Sequence, residues 1–180
     1  MYDLNIAFMG TTKRHNQLTI GLSGNLFELI RKNQICVLQE EIALVYKGQF
    51  KKGEEVSLID VNELDNVDVF LKEVLPEYHF IVPDFLYFLK NNFLWNDSKT
   101  KIIGQPDLVV EVWSVSNTEV ERKLKFDLYS SSESTEHWYI NQDSNIVECW
   151  IGKNRIQDQS LKDILQTKNN IKFDLRYLAL

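Results

Sequence analysis

The stretch PDLVVEVWSVSNTEVERKLKFDLY, residues 106–129, opens as an apolar strand and closes as a charged helix. Glu111 sits within the apolar half, between Val110 and Val112. A lone buried carboxylate is costly unless a charge or a hydrogen-bond donor meets it. The stretch therefore predicts that another segment of the chain brings a partner to Glu111.

Strand side chains alternate between faces, so Asp107, Val109, Glu111 and Trp113 share one face and Leu108, Val110, Val112 and Ser114 the other. Asp107 and Glu111 are then about 13 Å apart, too far to grip one ion together. A neighbouring strand has to supply the second acid, and the candidate is Asp84 in IVPDFLYFL. Pro83 cannot donate a ladder hydrogen bond, so it marks an edge, a bulge or an opening beside that acid. Two carboxylates brought close repel unless a cation lies between them. A hard divalent ion such as Mg²⁺ (or Mn²⁺), held by one or two carboxylates, water and a substrate phosphate, suits such a pair.

The helix expected over residues 117–130 adds positive charge. SVSN offers capping oxygens, and Val120, Leu124 and Leu128 form the apolar stripe expected to face the sheet. Glu121 and Lys125 stand at i and i+4, with Tyr129 one turn further. Folded back over the sheet, this helix carries Lys125 to the two acids. Two carboxylates and a lysine are the parts that metal-assisted phosphodiester hydrolysis needs. Each residue also has a plainer reading. Glu111 could face solvent on an edge strand, Asp84 could cap a turn, and Lys125 could pair with Glu121 on a solvated face. Asp107 reads more readily as a strand start than as a ligand. His15, near the start of an earlier helix, reads more readily as structural.

Outward from this segment the chain is ordinary in bulk. Its 180 residues are 44% hydrophobic, which suffices for one sizeable core, and one domain spanning 1–180 is expected. A formal charge of −6 disfavours non-specific nucleic-acid binding without excluding a local basic surface. Such a surface could draw on Lys13-Arg14, Lys51-Lys52, Lys99 with Lys101, or Arg122-Lys123. Cys36 and Cys149 lie in strand-like runs and read as buried thiols of a reducing compartment. No zinc-type spacing, leader-like segment or long apolar run occurs, so the expectation is a soluble, cytoplasmic protein without a membrane span.

Apolar residues from Leu18 to Ile30 recur at helical spacing, predicting a helix over about 15–32, capped by Thr11 or Thr12. ICVLQEEIALVYKG reads as a strand kinked near Gln39, YHFIVPDFLYFLK as a second, and NNFLWNDSKT as a loop. IIGQPDLVVEVWS is the third strand; TEHWYINQ and NIVECWIGK pair through a turn at DSN. SLKDILQ reads as a weak helix and IKFDLRYLAL as a last strand, while residues 49–74 are ambiguous. This order predicts an α+β (or α/β) fold on a central mixed β-sheet flanked by helices.

At these residues the chain resembles the Uma-type family of bacterial proteins, which have the PD-(D/E)XK, restriction-endonuclease-like fold. That family's pattern runs from a helix opening with His through a P-D strand and an "apdlvvEVxSpS" strand. A helix bearing D, K and Y and a closing "eYWivd" strand complete it. Here the corresponding pieces are His15, Pro83-Asp84, QPDLVVEVWSVS, Lys125 with Tyr129, and EHWYIN, spanning about Arg14 to Gly152. The resemblance implies a metal-dependent endonuclease acting on DNA, with Asp84 and Glu111 as Mg²⁺ ligands and Lys125 as the catalytic lysine. A homodimer cutting both strands is compatible with it. Glu121 stands where the family has Asp, Val115 replaces Pro, His137 replaces Tyr, and Asn141 replaces Asp. Trp113 occupies the strand position that holds Lys in a standard E-x-K motif. The rival reading is a nuclease-fold module that binds without cleaving.

Overall fold

Each of three stretches expected to form one long strand divides in two, and the halves join different sheets. The computed structural model describes residues 12–32, 34–39, 43–47, 78–89, 93–95 and 101–180. In it, ICVLQEEIALVYKG forms β1 (Ile35–Gln39) and β2 (Ala43–Lys47), and YHFIVPDFLYFLK forms β3 (Tyr78–Ile81) and β4 (Phe85–Leu89). The expected loop NNFLWNDSKT contains β5 (Phe93–Trp95). IIGQPDLVVEVWS then forms β6 (Lys101–Gly104) and β7 (Leu108–Trp113). The expectations over residues 49–74, the Thr11 cap and the basic pair Lys51-Lys52 fall outside the described residues.

The chain continues through β8 (Glu136–Asn141), β9 (Ile146–Ile151), β10 (Asn154–Arg155) and β11 (Gln159–Ser160). The central sheet runs β1-β4-β7-β8-β9-β10, with β11 also on β9, and a smaller sheet runs β3-β2-β6-β5. Within the central sheet β7 and β8 are parallel, while β4–β7 and β8–β9 are antiparallel. The sheet is mixed, as expected.

The breaks have a physical cause at two of the three sites. Pro83 and Pro106 lack the N–H that a continuing ladder requires. Each is followed by an aspartate that takes over the ladder's end. Asp84 Oδ2 accepts from Val112 N at 2.7 Å, and Asp107 Oδ2 accepts from Leu89 N at 2.7 Å. Between them lie the pairs Phe85–Val110, Leu86–Val109 and Tyr87–Leu108.

Two helices cover opposite faces of the sheet. The expected helix over 15–32 breaks at Leu26 into α1 (Lys13–Asn25) and α2 (Phe27–Arg31). Thr12 caps α1 by accepting from His15 N at 3.1 Å. Leu18, Leu22 and Leu26 pack on Leu108, Val110 and Val112 in the larger core cluster. Gly21 lets α1 approach the C-terminal segment, since a Cβ there would lie 2.9 Å from the Tyr177 hydroxyl and 3.0 Å from Leu175. At Gly24 nothing lies within 4 Å of such a Cβ. On the opposite face, α3 (Glu119–Ser130), capped by Thr118, places Tyr129, Phe126 and Leu128 against Val109, Trp113 and Tyr139.

The helix α3 is rolled away from the expected orientation. Val120 and Leu124 are 63% and 49% exposed, and the inward face carries Lys125 and Tyr129 instead. The stripe of Val120, Leu124 and Leu128 therefore does not face the sheet as a unit. Where it fails, two polar contacts to Glu111 take the place of apolar burial.

The C-terminal part also departs from expectation. SLKDILQ forms no helix: Ile164–Gln166 is β12, paired antiparallel with β13 (Lys172–Asp174). The Gln159 side chain fixes this conformation by bonding Gln166 N at 2.6 Å and Gln166 O at 2.9 Å. A 3-10 turn, Arg176–Leu178, ends the last stretch. Cys149 is a buried free thiol, as expected, while the Cys36 side chain lies outside the described residues. No helix among the described residues is long and apolar enough to cross a membrane.

Candidate active site

Glu111 is 1% exposed within a strand whose six residues are all buried. Two side chains of α3 meet it. Lys125 Nζ lies 2.6 Å from Oε2, and the Tyr129 hydroxyl donates to Oε1 at 2.5 Å. The parallel β7–α3–β8 crossover delivers them, because Lys125 and Tyr129 are one helical turn apart and project from the same face. Both contacts are ones that an ionised Glu111 accepts, from the Lys125 ammonium and the Tyr129 hydroxyl.

Asp84 completes the acidic pair. The antiparallel register places Phe85 opposite Val110, so the next step along the ladder sets Asp84 opposite Glu111. Its Oδ2 is fixed by Val112 N, and its Oδ1 lies 3.0 Å from His15 Nε2, which α1 presents from its first turn. The Asp84 side chain is 20% exposed and the Lys125 side chain 16%, so the centre opens to solvent from the Asp84 side.

The electrostatics follow this packing. Burial, with the charge of Asp84 added, raises the Glu111 carboxyl to about 8 against the opposing pull of Lys125 and the Tyr129 hydrogen bond. Burial acts on Asp84 in the same upward direction, but His15, Lys125 and the Val112 N–H outweigh it and hold this carboxyl below its ordinary value. For Lys125, burial disfavours the ammonium, yet Glu111 and Asp84 hold it above the usual lysine value. The high Glu111 value measures what burial costs after the lysine has partly offset it.

Of the sequence candidates, Asp84, Glu111, Lys125 and His15 gather at this centre. Glu121 does not pair with Lys125: it accepts from Asn117 Nδ2 at 3.1 Å and acts on the lysine only through its charge. Asp107 stands at the far end of the ladder, holding Leu89 N and, at 3.2 Å, Asn169 Nδ2. Among the described residues no group of three or more His, Cys, Asp or Glu side chains could hold a metal ion. Sequence reasoning gave Tyr129 no role; its signal was the four-residue spacing from Lys125 in a helix whose neighbouring strand buries an acid.

Trp113 is the other addition. Its ring stacks on Tyr139 at 5.1 Å, and it carries the Arg122 guanidinium 5.4 Å and the Lys125 ammonium 5.9 Å from its centroid. The strand position that resembles a lysine site thus holds an aromatic platform beneath two cations.

Residues 64–172 match the family model Uma2, described as "Putative restriction endonuclease". No curated protein matches the chain. A crystal structure from Anabaena variabilis, described as a putative nuclease belonging to DUF820, is similar with a TM-score of 0.59 at 11% identity, covering 94% of this chain and 84% of that one. That similarity concerns the fold.

Proposed function

The chain belongs to the Uma2 family, and from that premise we propose that it is a metal-dependent endonuclease hydrolysing phosphodiester bonds in DNA. The observation that carries the reading is Glu111, a carboxylate buried in an apolar strand, with an ammonium on it and a second carboxylate one ladder step across.

The donor set fits a hard cation. Two carboxylates whose oxygens each keep a second lone pair, in a centre open on one side, match an ion that retains several waters and takes a substrate phosphate oxygen. Asp84 and Glu111 would hold Mg²⁺ or Mn²⁺, which when bound supplies a more acidic water and polarises the phosphoryl group. Hydrolysis forms one P–O bond to water and breaks one to a sugar oxygen. Lys125 is the group placed to stabilise the negative charge that develops on phosphorus-bound oxygen. Tyr129 fixes Oε1 of Glu111, and His15 with Val112 N fixes both oxygens of Asp84, so the acids need little reorganisation.

Plasmid cleavage in Mg²⁺ tests the reading. Wild type should nick or linearise the DNA, and Glu111→Gln should lose at least about a hundredfold in rate while keeping its thermal unfolding transition. Equal cleavage by both proteins would refute it. A module that binds DNA without cutting is the second reading, favoured by Trp113 at the strand lysine position; it predicts DNA binding with no metal-dependent cleavage by wild type. A homodimer cutting both strands accompanies the first reading, and sedimentation of the wild-type chain with duplex DNA checks it.

A further inference from the structure

We infer that Arg122 is a phosphate-binding residue that grips the substrate backbone beside the Asp84–Glu111 centre. The inference rests on the nuclease reading and names a contact that reading does not contain.

Arg122 is half-buried on α3, one turn before Lys125 on the same side of the helix. Its Nη2 donates to Ser114 O at 2.8 Å, and its guanidinium lies over the Trp113 ring. Lys125, which shares that ring, touches Glu111, so the arginine stands next to the candidate centre. Two of its interactions are thus with a neutral carbonyl and a neutral ring. No carboxylate of the described residues pairs with it, although Lys123 beside it pairs with Asp127 at 2.9 Å. Arg122 Nε is buried without a hydrogen-bond partner.

This is an unusual state for a guanidinium. Removing a cation from water is unfavourable, and a structural arginine recovers that loss by pairing with an acid or by using its donors fully. Arg122 does neither, yet the carbonyl and the ring fix its plane, so little rotamer freedom remains to be lost on binding an anion. Nε is shut off by burial, so the Nη donors not engaged by Ser114 O are the ones that match two oxygens of a phosphodiester. Arg155 and Arg176 differ, pairing with Asp158 and Asp174 at 2.7 Å each. Arg14 also has buried donors without a hydrogen-bond partner, but Arg122 is the one whose guanidinium shares the Trp113 ring with Lys125.

The test is fluorescence anisotropy with a short labelled DNA duplex, with Ca²⁺ replacing Mg²⁺, for wild type, Arg122→Gln, Arg122→Lys and the control Arg155→Gln. Arg122→Gln should weaken binding about tenfold or more and reduce the salt slope by about one. Arg122→Lys should restore the slope but only part of the affinity, because an ammonium keeps the charge and loses the fork. Arg155→Gln should bind as wild type. Wild-type affinity in Arg122→Gln would overturn this inference and leave the nuclease reading standing. Absence of DNA binding by wild type would overturn both. Mn²⁺ calorimetry on Arg122→Gln separates the roles, since a lost phosphate contact leaves metal affinity unchanged.

Discussion

Asp84 and Asp107 close the two ends of one short ladder: Asp84 takes the N–H of Val112 on β7, and Asp107 takes the N–H of Leu89 on β4. Each follows a proline, and each stands where a strand leaves the smaller sheet for the central one. The local geometry is nearly equivalent, but the surroundings differ. Asp107 meets the amide of Asn169, whereas Asp84 meets His15 and lies across from a buried glutamate. The same device therefore serves packing at one end and, in the proposed function, chemistry at the other.

Asp107→Ala should destabilise the protein by about 2 kcal/mol, chiefly through loss of the half-buried hydrogen bond from Leu89 N to a charged acceptor, while Mn²⁺ binding is retained. Asp84→Ala should abolish Mn²⁺ binding. Urea unfolding and titration calorimetry on both variants measure the two effects. Loss of metal binding in Asp107→Ala would show that the far-end acid belongs to the centre after all.

The contact between Lys125 and Glu111 has a pH signature. Because the Glu111 carboxyl is raised in the folded protein, its unfavourable contribution sets in above the unfolded carboxylate range and grows as pH rises toward about 8, then levels off. Lys125→Met removes the main group opposing that rise. This variant should therefore lose more stability relative to wild type at alkaline than at acid pH. Adding Glu111→Gln should cancel the excess, with a coupling of about 1–3 kcal/mol in a double-mutant cycle. A pH-independent loss in Lys125→Met would mean that the two groups do not share a proton balance.

How much of this was legible in the sequence depends on which force decided each element. The acid among valines announced a partner because its burial cost does not depend on topology, and Asp84 and Lys125 were the candidates the sequence supplied, while Tyr129 was passed over. Face alternation on β7 also held, with Val109 and Trp113 in one cluster and Leu108, Val110 and Val112 in the other. The division of three strands between two sheets was not legible. Periodicity registers a β-conformation but not which neighbour each half pairs with, and Pro83 alone left an edge, a bulge and an opening as equal readings. SLKDILQ misled because Leu161 and Leu165 are both buried, as a helix would have them, through a Gln159 side-chain contact seven residues long in sequence.

His137 should make the protein acid-sensitive. It is fully buried between the Tyr139 hydroxyl and Gly152 O, at 2.9 and 2.8 Å, and burial holds its pKa down at about 4. In the unfolded chain the imidazole takes up its proton near pH 6.5. The contribution is thus intact above that value and lost as pH falls toward about 4, by up to about 3 kcal/mol. His137→Gln should flatten this acid limb, even at lower absolute stability, in urea midpoints collected across the range. An unchanged slope would assign the acid sensitivity to other groups.

The roll of α3 makes a prediction that runs against its sequence. By pattern, Val120 and Leu124 belong to the helix's apolar stripe, and Lys125 either reaches the acids or pairs with Glu121 on a solvated face. By structure, Val120 and Leu124 are exposed while Lys125 faces Glu111. Val120→Glu and Leu124→Lys should each change stability by less than about 0.5 kcal/mol, as surface substitutions do. Lys125→Leu, which improves the apolar pattern, should cost several times more because it leaves a buried acid with only Tyr129 as its partner on α3. Thermal unfolding of the three variants decides the matter. A large loss in Leu124→Lys together with a neutral Lys125→Leu would return the helix to the orientation its apolar stripe suggests, and would take Lys125 away from the acids with it.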